Sequence, residues 1–536
     1  MIAIYNGFFG YNRGEDDAGV INSFGMVTLS ICNSTFSNNS ATDDGGVIYV
    51  RQANSVAIDN STFIHNSAHQ GGVVTVTAMF QDITTTITNC TLSHNTADFG
   101  GVIAALTSGI VVIDHGIFDG NTGYSEGGVI YVFQSGSVFI DSSSFTSNTA
   151  GTGGVLAAFR NISVTVVTST FCSNSAGNDG GAIYAVTNST IMVDSCVFSD
   201  NRADDGGVLY VRQSSSIVIE RSNLTHNRAT FGGVARVRES GIAIVNDSRF
   251  ANNTAVSEGG VGNAYRDSII TVNKSTFENN KGDYGGVLIA FQSSSLKFYG
   301  CSFTNNTANF GGVARVHQSS NFIVNRSNFT FNKARDTGGI AFLQQNSSFN
   351  IDNCDFDFNG AEFGGVMYAE QGSSVTTSNS HFNNNTAKDN GGVINAHVNT
   401  VMTINNSYFS QNRADLNGGV IRLSENSTLI IDSSNFRGNT AGRDGGVLYA
   451  LEFSYIAVES SSFTFNGADD DGGIVYAQTN CSVTVARCDF YLNTAKDNGG
   501  VTFLYDSSTI SVTGSDFSLD RAGGNGGVVY LSLIHI

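Results

Sequence analysis

The chain has 536 residues, with no proline, no tryptophan, 62 glycines and 38 phenylalanines; 40% is hydrophobic, 13% is charged, and the formal net charge is -19. That apolar content excludes a disordered chain, and singly scattered basic residues in so acidic a sequence argue against a nucleic-acid binder, which clusters Lys and Arg against phosphate. No apolar run approaches the roughly 18 to 20 residues of a membrane-spanning helix, and the first residues lack a signal-peptide pattern.

In chain order, the first stretch, MIAIYNGFFGYN, aligns without a gap to residues 55–66, SVAIDNSTFIHN: Ile2 on Val56, Ile4 on Ile58, Phe9 on Phe63, Asn12 on Asn66. The sequence is therefore expected to start inside a repeat. Gly-Gly-Val or a close variant then begins at 45, 71, 100, 127, 153, 180, 206 and onward to 526, at intervals of 26 or 27 apart from one of 29. Eight or nine residues before each pair comes Phe-x-x-Asn, as in Phe36 and Asn39 or Phe463 and Asn466, with Leu92 and Leu224 in place of Phe and Asp520 in place of Asn. A fixed period of this kind decides the fold.

Within each repeat the apolar period is two, which specifies strands. After the glycine pair, Ile48 and Val50 point inward while Tyr49 and Arg51 alternate with them; Val56 and Ile58 form a second alternating pair; Ser61 and Phe63 sit on a third strand. Three short strands per repeat predict an all-β fold, a single-stranded parallel β-helix (pectin-lyase-like solenoid) of about 20 coils of 26–27 residues. Stacked coils lie roughly 4.8 Å apart. Phe is then expected on Phe along the interior, Asn in an amide ladder, and the glycines at a bend of positive φ or close backbone approach. The repeat domain is expected over 1–530, truncated at both ends, while residues 531–536, LSLIHI, read as a translated sequencing-adapter tail.

The paired Gly-Gly-Val/Ala/Ile and Phe-x-x-Asn motifs resemble the GGA[ILV] and FxxN repeats of the chlamydial polymorphic outer membrane protein (Pmp) family, a repeat class also found in large surface proteins of protists and algae. The resemblance covers residues 1–530 and implies a right-handed parallel β-helix, secreted or displayed at the cell surface and often adhesive. The chain departs from it in preferring Val after the glycines.

Cys90, Cys196, Cys301, Cys354 and Cys488 all stand two residues before the Phe position, never in adjacent coils, so they are expected as small buried residues and not as disulfides. GYSEG at 123–127 precedes a glycine pair instead of joining a strand to a helix, and His65 and His69 lack the helix and Glu of a zinc motif. No catalytic residue, metal site or cofactor is predicted. Acidic turns such as Asp43-Asp44 read as solvated. The sequons place candidate N-glycans at Asn60, Asn188, Asn223, Asn405 and Asn426.

The row alternating with the core on the first strand is the candidate binding surface: Tyr49, Arg51, Tyr131, Phe133, Tyr210, Arg212, Arg236, Arg238, Arg315 and His317. Exposed rings and guanidinia on a rigid strand bind with little entropy loss, and replacing Tyr210 and Arg212 is expected to leave melting nearly unchanged. The leading expectation is a non-catalytic extracellular or cell-surface structural or adhesive protein, a glycosylated component of a coat or filament. Its expected partners are surface glycans, other surface proteins or further copies joined end to end. A polysaccharide-processing enzyme and an ice-binding rod are the alternatives.

Overall fold

The computed structural model describes residues 1–52, 55–78 and 82–532. It comprises two units, Met1–Thr271 and Val272–Ile536. Each is a parallel β-solenoid, and the described residues contain about 19 turns and no helix.

In the first unit every coil repeats the predicted strands in register. Ile48–Arg51 pairs with Val74–Thr77, Ile48 opposite Val74 and Val50 opposite Val76. Ser55–Asp59 pairs with Thr28–Cys32, Val56 opposite Leu29. Thr62–Ile64 pairs with Thr35–Ser37, Phe63 opposite Phe36. Many coils add a fourth short strand, absent from the sequence reading, between the Asn and the glycine pair: Thr96–Phe99 beside Thr122–Glu126 is one, with a bulge. Short β-capable segments such as Thr-Ala pair there because the coils on either side supply parallel partners.

The second unit repeats the plan, with Leu296 opposite Phe322 and Phe303 opposite Phe329. Its phenylalanine ladder runs unbroken from Phe277 to Phe517, with centroids from 4.6 to 5.0 Å apart and planes nearly parallel. This is offset stacking at the strand spacing. Each buried ring contributes on the order of 1.5–3 kcal/mol. In the first unit Leu92 and Leu224 interrupt the ladder and remain fully buried.

The asparagine column is the amide ladder the spacing predicts. Asn359, wholly buried, takes the backbone N–H of Asn332 on its Oδ1 at 3.0 Å and the Nδ2 of Asn332 at 3.1 Å. Its own Nδ2 donates to the Phe329 carbonyl at 2.9 Å and to Asn385 Oδ1 at 3.1 Å. Every polar atom of the side chain is satisfied, which a buried amide requires.

A serine column runs parallel to it, and Cys90, Cys196, Cys301, Cys354 and Cys488 belong to it. Cys196 N–H donates to Ser222 Oγ at 3.1 Å, and Ser169 N–H reaches Cys196 Sγ at 3.5 Å. Burial pushes the Cys90, Cys196 and Cys301 thiols up to about 11 and Cys354 up to about 12, so they are inert at neutral pH. All eight cysteines are free.

The two glycines of the pair do different work. Gly206 takes φ +62, whereas a Cβ on Gly207 would sit 2.2 Å from the carbonyl oxygen of Gly233 in the next coil. Of the tail, Leu531 and Ser532 complete the strand Val529–Ser532 opposite Leu504 and Tyr505; residues 533–536 lie outside the described residues.

Candidate functional site

The predicted surface row lies on the strands that follow the glycine pair: Ile48–Arg51, Ile130–Phe133, Leu209–Arg212 and Ala235–Arg238 in the first unit, and Ala314–His317 in the second. It is not the open surface the alternation implies. Tyr49 and Tyr210 are only 6% and 2% exposed, and Arg51, Tyr131, Phe133, Arg212, Arg236, Arg238, Arg315 and His317 are half-buried.

In several coils the residue just before the glycine pair covers the row. The Arg236 guanidinium lies 4.6 Å above the Phe231 ring and pairs with Asp205. Arg315 lies 4.3 Å above Tyr284, Phe99 stands 5.3 Å from Tyr131, and Asn263 donates to Glu258 at 2.9 Å. The covering residues vary too much to form a motif, so no periodic signal reveals them. Expecting Tyr210 and Arg212 to be replaceable without cost is therefore corrected: Tyr210 is a packed side chain.

Neighbouring coils supply the remaining contacts. Tyr184 and Tyr210 stack at 5.3 Å, Arg160 lies over Phe133 at 5.0 Å, and Arg238 lies over Tyr265 at 5.0 Å. Arg212 Nε donates to Glu239 Oε2 at 2.8 Å. His317 stacks on Phe291 at 5.1 Å; burial, with Arg315 beside it, pushes its imidazole down to about 4, so it is neutral at pH 7. Burial pushes the Tyr131 phenol up to about 12. The row is thus a preorganised band of rings and guanidinia that already partner one another.

One acidic feature adjoins it. Asp179 and Asp205, in adjacent coils and bridged through their backbones, face Arg236 and Arg238. Burial first, then the charge and hydrogen bond of Asp205, push the Asp179 carboxyl up to about 6. In the first turns, Asp16, Asp17 and Asp43 bring carboxylate oxygens within 4.8 Å of one another, two of them exposed. Three such ligands fall short of the six to eight oxygens Ca²⁺ takes.

Among the sequons, Asn60, Asn188, Asn405 and Asn426 are exposed. Asn223 lies half-buried inside the strand Asn223–Thr225, a poor acceptor for a bulky glycan.

The family model for the right handed beta helix region matches residues 338–517, about a third of the chain. The Chlamydia polymorphic membrane protein repeat matches residues 33–51 and 168–186. The chain carries Pmp-like right-handed β-helix repeats. The first Pmp-like match spans Phe36, Asn39, both glycines at 45 and 46, and Tyr49; the second spans Phe171, Asn174 and the glycines at 180 and 181. In each, the matched positions are those of the ladders and the coil bend. No curated protein matches the chain. Among solved structures, the PL6 family alginate lyase AlyGC overlays 98% of this chain and 97% of its own at 10% identity and a TM-score of 0.23. A mutant of that lyase overlays 99% and 97% at 10% identity and 0.25. Overlays this loose carry no argument about activity.

Proposed function

We propose that this chain is a non-catalytic structural and adhesive β-helix of the cell surface or extracellular space. The observation that carries the reading is the match of its repeats to the Chlamydia polymorphic membrane protein repeat, which points to a surface protein. The structure supports it by where the polar groups go: buried Asn and Ser side chains are consumed in ladders that build the solenoid. Surface glycans, other surface proteins and further copies of the chain are the proposed partners, and glycans are proposed on exposed Asn60, Asn188, Asn405 and Asn426.

A polysaccharide-processing activity is the second reading, favoured by one observation: the Asp179–Asp205 pair beside Arg236 and Arg238 places acid–base groups together. One experiment separates the two. The purified chain is screened for adhesion to cells and for depolymerisation of acidic and neutral polysaccharides. Adhesion without turnover supports the first reading. Turnover abolished by Asp179→Asn would sink it.

A further inference from the structure

We propose that the cavity at Gly438, on the outer face of the Phe-x-x-Asn strands of the second unit, is a subsite for one ring of a neutral glycan chain.

The inference starts from a backbone feature. The second residue after each Phe takes a left-handed conformation, and Asn, which tolerates it, is a frequent occupant, as at Asn305 (φ 55) and Asn384 (φ 53). In the second unit Phe331, Phe358 and Phe465 stand at this position with φ 57, 55 and 58. A bulky side chain there is an outlier, and these three rings remain 48%, 47% and 50% exposed. They accept backbone strain while burying only half their surface, so folding does not account for them. Strain kept at an exposed position motivates a search for function.

Phe331 and Phe358 stack on each other at 5.2 Å. Among the described residues no ring stacks on Phe465. Tyr491, on the next rung, meets it edge-on at 6.0 Å, and the preceding rung holds Gly438, where a Cβ would meet only Gln411 Cγ at 3.8 Å. The missing side chain opens a cavity of about 590 Å³ lined by Tyr408, Ser410, Gln411, Arg437, Gly438 and Phe465, among others. From Gln411 to Phe465 is two strand spacings, roughly 9.6 Å, enough for one flat ring laid on the phenyl face.

The lining decides the ligand class. It offers the rings of Tyr408 and Phe465, hydroxyls, the amides of Asn383 and Gln411 and one guanidinium, and no carboxylate among the lining residues. The Arg437 guanidinium lies over the Phe465 ring, 5.8 Å from its centroid, so it would share that face with the bound sugar. A saccharide matches this set: its axial C–H face lies on the ring while its hydroxyls bond to the polar edge. A chain of net charge -19 disfavours acidic glycans and nucleic acids, leaving a neutral glycan.

The inference rests on the adhesive reading above and names a ligand class for one site. Calorimetric titration of the whole chain with hexamers of β-1,4-glucose, β-1,4-mannose and N-acetylglucosamine tests it, with oligothymidylate and a galacturonate hexamer as controls. At least one neutral hexamer is expected to bind, and Phe465→Ala to weaken it about tenfold, as loss of an aromatic hot spot does. Gly438→Asn fills the slot with a residue that already occupies this position at 384, so it is expected to keep the melting temperature and remove binding. No binding by any neutral hexamer, binding by a control alone, or binding indifferent to both variants would overturn the proposal. Retained cell adhesion with no hexamer binding would sink the subsite alone; hexamer binding without cell adhesion would sink the adhesive reading alone.

Discussion

At the scale of the residue, stability rests on side chains that have no room to fail. Asn359 bonds to groups in both flanking coils, so Asn359→Ala takes the acceptor from the Asn332 backbone N–H and a donor from the Phe329 carbonyl, while Asn385 Oδ1 keeps the backbone N–H of residue 359. An unsatisfied buried group costs about 1–3 kcal/mol, and a loss of that order is expected from urea unfolding. The half-buried carboxylate of Asp179 makes the opposite kind of contribution. Its pKa is raised from 3.8 to about 6, so the folded state holds the proton more tightly than the unfolded chain. The favourable contribution is therefore present below about pH 4 and is lost as pH rises through about 6, and it amounts to at most about 3 kcal/mol. Melting temperature is expected to fall between pH 4 and 7, with a flatter profile in Asp179→Asn. An unchanged profile would show that Asp179 titrates alike in both states.

At the scale of the element, the glycine pair closes each coil by two separate means. A methyl on Gly207 collides with the carbonyl oxygen of Gly233 at 2.2 Å, an atom held by the neighbouring coil, whereas one on Gly300 (φ +65) meets only Lys274 Cγ at 3.8 Å. Gly300→Ala is expected to cost about 1 kcal/mol, the ordinary cost of a left-handed alanine. Gly207→Ala must push neighbouring coils away from each other, so its melting temperature is expected to fall well below that of Gly300→Ala; equal values would mean that the coils yield.

These elements also mark how far the sequence is legible. Phe36, Asn39, Ile48 and Val50 repeat at one spacing and face one interior, so spacing alone places them. Tyr49 and Tyr210 alternate with the core as exposed residues would, yet lie buried. Tyr49 meets Phe24 edge-on and Tyr210 stacks on Tyr184, and elsewhere the row is covered by residues as unlike as Phe231, Tyr284 and Glu258, with no pattern along the chain joining them. The left-handed position of Phe465 is hidden for a similar reason: a single sequence does not show that Asn, Gln, Gly and Phe there all share one φ.

At the scale of the whole molecule, both units spend their interactions between neighbouring coils, so stability is close to a sum of coil terms and interface terms. The columns then make the coil the unit of tolerance. Deleting residues 392–418 joins Gly391 to Gly419 and sets Asn439 where Asn412 received the Asn385 bonds. Phe436 likewise replaces Phe409 beside Phe382. Every column is restored, so the shortened chain is expected to keep its β-sheet circular dichroism and to melt cooperatively within a few degrees of the parent. Deleting only 392–405 removes half a coil and sets core strands against turn residues, and that chain is expected not to fold. If the half-coil deletion folded as well as the full one, the register of the ladders would not be what holds the second unit together.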